Sequence, residues 1–330
     1  MKKLLNIKNL YAGFSILAVF LLNACSEKTE YDITGNSTNK VYVNTETSYV
    51  NNYKLSVVHT PVSDVGNITE SFPVRCTHEA VADLTVTFAV DNSLIDAYNS
   101  TKSTTYSAVP DGLVVLSNNG LTIPKGEVVS SDSLTISIPN NMLSQLTGSG
   151  YVIPIRISNI SNTSNTAISS NQSIVYLVIT TSWSNCYDSP LIGDMVGTLI
   201  TPRTSWSATL DATLVSGTLP QMFDGSTTTY WRINPIAFTL VVNLATQYTL
   251  ITGIRTNSNT TSYDLTQVKV SSSTDGTTWV YQGIPLLSRA NAYQYIRFYS
   301  PITAKYLKIE AVTWYSTSRV YMAEFDVYKN

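Results

Sequence analysis

The sequence predicts an all-β protein built from two β-sandwiches. Three observations point there. Only 13% of the 330 residues are charged, while 43% are hydrophobic. Val, Ile, Thr and Tyr are abundant, with 21 Tyr, and these residues suit a pleated, half-buried surface. Short apolar–polar alternations also recur along the chain, separated by Gly, Pro, Asn and Ser. The same arithmetic excludes functions. With 20 Lys+Arg against 22 Asp+Glu the net charge is −2, which leaves no basic footprint for a nucleic-acid partner. Two His and three Cys supply few ligands for a transition-metal enzyme.

The first 24 residues read as an export signal. Lys2, Lys3 and Lys8 form a basic start, and residues 11–22 (YAGFSILAVFLL) form a short apolar stretch. That stretch is too short to cross a bilayer as a helix and suits a signal peptide. Leu22-Asn23-Ala24-Cys25 then resembles a bacterial lipobox, which implies lipidation of Cys25 as the first mature residue. Two or more acyl chains give stable anchoring, at about 0.8 kcal/mol per buried CH₂. Residues 25–39 are polar and read as a tether. Glu27 and Glu30, just after the Cys, resemble the surface-export signal of Bacteroidota lipoproteins. The implied location is the outer membrane, lipid-anchored and facing the cell exterior. Cys76 and Cys186 are expected as two unpaired thiols in separate domains.

Residues 40–181 are expected to form an antiparallel sandwich of immunoglobulin-like or Greek-key type. Its predicted strands are Val41–Asn44, Tyr53–His59, Phe72–Thr77, Leu84–Val90, Leu113–Leu116, Thr135–Ile138, Val152–Ile157 and Ile174–Ile179. Leu84–Val90 shows the period plainly, with Leu84, Val86, Phe88 and Val90 on one face and Thr85 and Thr87 on the other. One short helix is expected from Ser93 to about Lys102. Ser93 and Asp96 have capping-box spacing, and Leu94, Ala97 and Tyr98 fall on one face. The pieces Val90–Ile95, Leu121–Gly126 and Tyr151–Ile157 resemble a domain of unknown function that begins many Bacteroidota surface lipoproteins. That resemblance implies a spacer between anchor and ligand-binding module. Residues 182–190 (SWSNCYDSP) break the pattern and read as a linker.

Strands resume at Phe238–Leu244, Ile251–Thr256, Gln267–Ser271, Tyr295–Phe298, Tyr306–Ala311 and Glu324–Tyr328. Four pieces, in order, carry a second resemblance. They are Trp206–Ala208; Phe223–Trp231 followed by Phe238–Leu244; Val270–Trp279; and Ala304–Ile309 closing with Ala323–Tyr328. Residues 191–330 thereby resemble the coagulation factor 5/8 type C, or discoidin, domain, whose fold family 32 carbohydrate-binding modules share. The implied fold is an eight-stranded jelly-roll sandwich, galactose-binding-like. The resemblance also implies a structural Ca²⁺, held by the side chains of Asp224 and Glu324, by Thr229 and by the carbonyls of Gln221 and Ala323. Hard oxygen ligands and a glycine turn suit that ion. Ser226 departs from the Asp or Asn frequent after the glycine. The plainer alternative leaves Asp224-Gly225 as a turn and Glu324 as an ordinary strand residue.

A sugar offers an apolar face and a ring of hydroxyls, which one flat aromatic and planar polar side chains can answer. Trp206, Trp231 and Trp279 lie inside structural motifs and are expected in the core. Trp314 and Tyr315, at a strand end before the short loop to Arg319, are the candidates for stacking. Arg203, Arg289 and Arg319 are the candidate donors. The plainer alternative makes each a half-buried residue of a Tyr-rich β protein. No enzyme is expected. A glycosidase needs two carboxylates across the scissile bond, and no Ser or Cys motif accompanies His59 or His78, both placed on first-half strands. The resulting expectation is a non-catalytic surface lipoprotein. It captures a glycan, of terminal galactose or amino-sugar type, through its C-terminal domain. The alternative is an adhesion or scaffold lipoprotein that binds a protein partner, and membership of a glycan-import complex is a third reading.

Overall fold

A computed structural model describes residues 38–43, 51–161 and 163–330. The export signal, Cys25, the tether up to residue 37 and the last residue of the first predicted strand lie outside the described residues.

The alternating patterns become strands with one buried face. Leu134–Ile138 buries every second side chain, and Leu84–Val90 does so through Leu84, Val86 and Phe88 but leaves Val90 exposed. The main N-terminal sheet has six strands, in the order Asp64–Gly66, Asn52–His59, Ile174–Trp183, Gly150–Ile160, Leu84–Val90, Leu121–Ile123. Two three-stranded sheets complete this half: Thr166–Ile168, Asn39–Val43, Val74–Cys76, and Ile68–Phe72, Leu134–Ile138, Val115–Ser117. Phe72, Ile123, Leu134, Ile136 and Ile155 lie in the shared core, at 0–1% exposure.

The expected all-β class holds, but the pairing is not purely antiparallel. Ile174–Trp183 runs parallel to Asn52–His59, and Asn39–Val43 runs parallel to Thr166–Ile168. The predicted strand Phe72–Thr77 is two strands, Ile68–Phe72 and Val74–Cys76, broken at Pro73. Proline has no N–H to give a ladder, so the chain changes sheet there. The strand Gly150–Ile160 is buried on both faces over its first half. The helix Ile95–Lys102 explains this, because Ile95 and Tyr98 pack on Val152 and Val178 from the outer side. Asp91 caps the turn that leads into this helix, accepting the Ser93 N–H at 3.1 Å. Ser93 therefore does not cap it, and Leu94 and Ala97 do not join the buried face.

Residues 182–190 are not a free linker. Ile174–Trp183 keeps its pairing as far as Trp183 opposite His59, and the Ser184 N–H donates to the His59 carbonyl at 2.9 Å. Asn185 then enters the C-terminal half, 3% exposed. Its backbone N–H donates to the Gln282 carbonyl (2.6 Å), and its carbonyl accepts from the Tyr299 N–H (2.8 Å). Its Nδ2 donates to Gln282 Oε1 and the Ser300 carbonyl, both at 2.9 Å, while Oδ1 accepts the Ser300 N–H at 2.8 Å. Trp183 and Tyr281 face each other across this junction with ring centroids 6.2 Å apart.

The C-terminal half is a sandwich around its own core, with Trp231, Phe298 and Phe325 at 0% exposure. Its largest sheet runs Thr198–Leu199, Glu324–Lys329, Thr239–Asn257, Tyr293–Trp314, Leu265–Ser273, Val280–Gly283, with Ser207–Leu210 also paired to Thr239–Asn257. Trp231–Ile233 and Val320–Met322 form a separate two-stranded ribbon. Four predicted strands fuse into two long bent ones, Thr239–Asn257 and Tyr293–Trp314. The stretches between them are register shifts in the pairing and not turns. Cys76 and Cys186 are buried free thiols, as expected. His59 holds Asp64 through Nδ1 (2.6 Å) and the Leu146 carbonyl through Nε2 (2.9 Å). His78 lies on an exposed turn after Cys76, not on a strand.

Candidate functional site

Strand alternation builds the site. In the ribbon, Trp231, Ile233, Val320 and Met322 all sit at 0–2% exposure and point into the core. Arg232 and Tyr321, opposite each other in register, therefore occupy the other face. Three tyrosines stack there. Tyr230 lies on Tyr321 with centroids 4.5 Å apart and planes within 12°, and Tyr263 lies 4.2 Å from Tyr321 at 42°. Arg319 shares a face with Tyr321, two residues on. Its Nη1 donates to the Tyr321 hydroxyl at 2.9 Å, and its guanidinium stands 5.4 Å over the Tyr263 ring. Arg232 stands opposite Tyr321 in the ribbon register, and its charge acts on the same hydroxyl. Burial alone would push the Tyr321 hydroxyl up, but the two guanidiniums hold it below the ordinary tyrosine value.

The surrounding loops are stitched into one end of the domain. Asn259 Nδ2 donates to the Thr227 carbonyl at 2.8 Å, and Arg289 Nη2 donates to the Thr261 carbonyl at 2.7 Å. The Tyr315 N–H donates to the Asp264 carbonyl at 3.1 Å, and the Ser258 N–H to the Ala292 carbonyl at 3.1 Å. A second aromatic–arginine pair sits among them, with Arg289 only 3.4 Å above the Tyr315 ring. Tyr315 remains 59% exposed.

Beneath that pair lies Asp264, with no exposure. Its Oδ1 accepts the Ser258 hydroxyl, while Oδ2 has no hydrogen-bond partner and lies 3.6 Å from Arg289 Nε. Burial pushes this carboxyl up to about 6, against the opposing pull of Ser258 and Arg289. A folded-state value above the ordinary 3.8 means that the native state takes up the proton before the unfolded chain does. Asp264 therefore opposes folding at neutral pH, and that opposition is relieved as pH falls from about 6 toward 3.8. Its share is roughly 2–3 kcal/mol. The melting temperature of Asp264→Asn is expected to lose the part of the rise that wild type shows between pH 7 and pH 5. Superimposable pH profiles would contradict this assignment.

The structure sorts the sequence candidates. Tyr315, Arg289 and Arg319 reach the loop end. Trp314 is half-buried and packs against the core. Arg203 is removed from the candidate ligand donors. Its side chain is 10% exposed, and Nη1 lies 2.6 Å from Glu324 Oε2 and 2.8 Å from Asp326 Oδ1. The same nitrogen donates to the carbonyls of Phe325 (2.9 Å) and Met222 (3.4 Å). Trp206 and Trp231 are in the core, whereas Trp279 is half-buried with Lys308 4.6 Å over its ring. Arg232, Tyr230, Tyr263 and Tyr321 had no place among the sequence candidates. The two-residue spacing of Arg319 and Tyr321 signalled one face, but the partnership with Arg232 needs the ribbon register.

Asp224 heads the turn expected to bind metal, with Gly225 at φ +82°. Its carboxylate is engaged locally, accepting the Ser226 N–H at 2.8 Å and the Thr229 hydroxyl at 2.7 Å. Glu324 is 3% exposed, and its Oε1 has no partner. Burial raises the Glu324 carboxyl, Arg203 opposes this, and the nearby Asp326 and Asp224 carboxylates add to the rise. A buried carboxylate oxygen without a hydrogen-bond partner fits a hard cation. Among the described residues no three His, Cys, Asp or Glu side chains cluster as metal ligands, so an ion here would lean on backbone carbonyls. A cleft of about 910 Å³ between Tyr53, Tyr98, Tyr106 and Glu70 is lined by residues of the N-terminal half and by none of these groups.

The F5/8 type C domain family model matches residues 205–325. The C-terminal half is an F5/8 type C domain. A second family model, for an N-terminal domain, matches residues 36–164. A crystal structure of a two-domain protein of unknown function from Bacteroides fragilis shares the fold over both halves. It is 19% identical with a TM-score of 0.62, covering 88% of this chain and 95% of that one. Two Clostridium perfringens structures overlay the F5/8 type C domain. The family 32 module of NanJ, in complex with galactose, is 20% identical over 41% of this chain and 100% of its own, with a TM-score of 0.36. CpGH89CBM32-5, in complex with GalNAc-β-1,3-galactose, is 16% identical over 40% and 99%, also with a TM-score of 0.36. No curated protein matches the chain.

Proposed function

We propose that the protein is a non-catalytic glycan-binding lipoprotein. Cys25 carries its lipid, it faces outward from the outer membrane, and the N-terminal half is a spacer for the F5/8 type C domain. One observation carries the binding reading: exposed Tyr315 and the Tyr230–Tyr321–Tyr263 stack share a loop end with Arg232, Arg289 and Arg319. Flat aromatic faces suit the C–H face of a sugar, and guanidiniums suit its oxygens. A single site of this kind would bind near the millimolar range, at about −4 kcal/mol. Many copies on a polymeric glycan would compensate through avidity. In this reading a structural Ca²⁺ sits between the Asp224 and Glu324 carboxylates, with Thr229 and the carbonyls of Gln221 and Ala323. The unpartnered Glu324 Oε1 supports it. Its contribution would be to hold the turn that precedes Tyr230.

The test is a multivalent glycan array with the mature protein, run with and without chelator and alongside a melting curve. Binding that soluble sugar competes away is expected. Tyr315→Ala and Tyr263→Ala are each expected to weaken it about tenfold, near 1.4 kcal/mol. No glycan binding at high valency, or retention of a protein ligand in the presence of soluble sugars, would reject the reading in favour of a protein-binding adhesin. An unchanged melting temperature on chelation would reject the ion alone.

A further inference from the structure

The C-terminal half contains six arginines: 203, 232, 255, 289, 297 and 319. Arg203 and Arg255 share Asp326, Arg289 lies against Asp264, and Arg297, which pairs with no carboxylate among the described residues, donates to the Thr252 carbonyl at 3.0 Å. Arg232 and Arg319 are different. Among the described residues no carboxylate lies within ion-pair distance of either; Arg319 donates to the Tyr321 hydroxyl, and Arg232 stands opposite Tyr321 in the ribbon register. Nearby acids are already engaged. Asp264 has no exposure, and the Asp224 carboxylate is folded into its own turn. Two guanidiniums thus bring two positive charges to one phenol, leaving most of their ten N–H donors for something else.

The platform beneath them is rigid. Arg232 projects from a ribbon whose alternate side chains, Trp231, Ile233, Val320 and Met322, are anchored in the core. Tyr230 and Tyr263 flank the pair and exclude water from one side of Tyr321, which is itself 6% exposed. Neutral hydroxyls would leave that charge uncompensated. A carboxylate or sulfate accepts two parallel N–H bonds from each guanidinium, which is the geometry arginine offers best.

We propose that the site selects an anionic glycan, a sugar bearing a carboxylate or a sulfate ester, and holds the acidic group between Arg232 and Arg319. This rests on the glycan-binding reading above and specifies its ligand class. The sugar ring then extends over the tyrosine faces, and the Tyr321 hydroxyl steadies the Arg319 guanidinium on the same face as Arg232.

The experiment titrates the full mature chain with three oligosaccharides of matched length: a neutral galactan, a galacturonan and a sulfated galactan. At low salt, at least one anionic probe is expected to bind ten times more tightly than the neutral one. The advantage should shrink severalfold on raising salt to about 0.5 M. The two anionic arms separate carboxylate from sulfate. Arg319→Gln and Arg232→Gln are each expected to weaken binding of the anionic probe about tenfold more than binding of the neutral one, and Lys305→Gln is expected to leave both unchanged. Melting curves confirm that each variant folds. Equal affinity for neutral and anionic probes, or an anionic preference that survives both arginine variants, overturns the proposal while glycan binding stands. Failure of all three probes to bind overturns glycan binding with it.

Discussion

Arg203→Ala is expected to cost the F5/8 type C domain about 3–5 kcal/mol, the usual penalty for stripping one partner from a buried ion pair. One nitrogen of this side chain meets two carboxylates and two carbonyls in a site of 10% exposure. Without it Glu324 loses the only charge opposing its burial. Asp326 would keep Arg255, which holds its other oxygen at 2.7–2.8 Å, so Glu324 carries most of the loss. The measurement is urea unfolding at neutral pH. Part of the deficit should return on acidification, because a carboxyl raised in the folded state binds its proton there first and is then no longer a buried charge. Arg203→Met combined with Glu324→Gln should recover much of the loss, since removing both members of a buried pair is often close to neutral. A single variant as stable as wild type would show that the cluster contributes nothing.

Asn185→Ala is expected to destabilise by about 2–4 kcal/mol and to loosen the junction between the halves. The side chain satisfies Gln282 Oε1 and both backbone polar groups of Ser300. Leaving such groups buried and unpaired costs about 1–3 kcal/mol each, partly offset where water can enter. Two readouts check it. Thermal unfolding should separate into two transitions, and limited proteolysis should cut between residues 184 and 190. A single transition at the wild-type temperature, with no new cut, would contradict the role given to Asn185.

Much of this fold was legible in the sequence because alternation reports burial directly. Leu84–Val90 is the clearest case, with its predicted bounds matching the structure and its inward face holding for Leu84, Val86 and Phe88, though not for the exposed Val90. Partnership was less legible, because it depends on residues far apart. Nothing local in residues 52–59 says that they run parallel to residues 174–183. The gaps between Leu244 and Ile251, and between Phe298 and Tyr306, look like turns, yet the chain continues through them as bent strand. Ala245 and Leu250 take positive φ in the first of these stretches, which composition does not announce.

The candidate site shows the same limit. Arg203 looked like a loop donor because its acceptors, Glu324 and Asp326, lie more than a hundred residues later. Tyr315, Arg289 and Arg319 were readable as polar or aromatic residues at strand ends. Arg232 was hidden beside Trp231 in a stretch whose residues otherwise signal core. Only the ribbon register places it against Tyr321.

The junction at Asn185 also sets the direction in which the loop end points. Trp183 is still paired in one half while Cys186 already bridges Phe298 in the other. The span between is too short and too heavily bonded to act as a swivel. Each molecule therefore presents its tyrosine–arginine face at one angle to its own N-terminal sheet. Neighbouring copies held in a common orientation would hold their faces in a common orientation too. A long chain molecule gripped by one copy would then meet the next already aligned, with less rotational freedom left to lose.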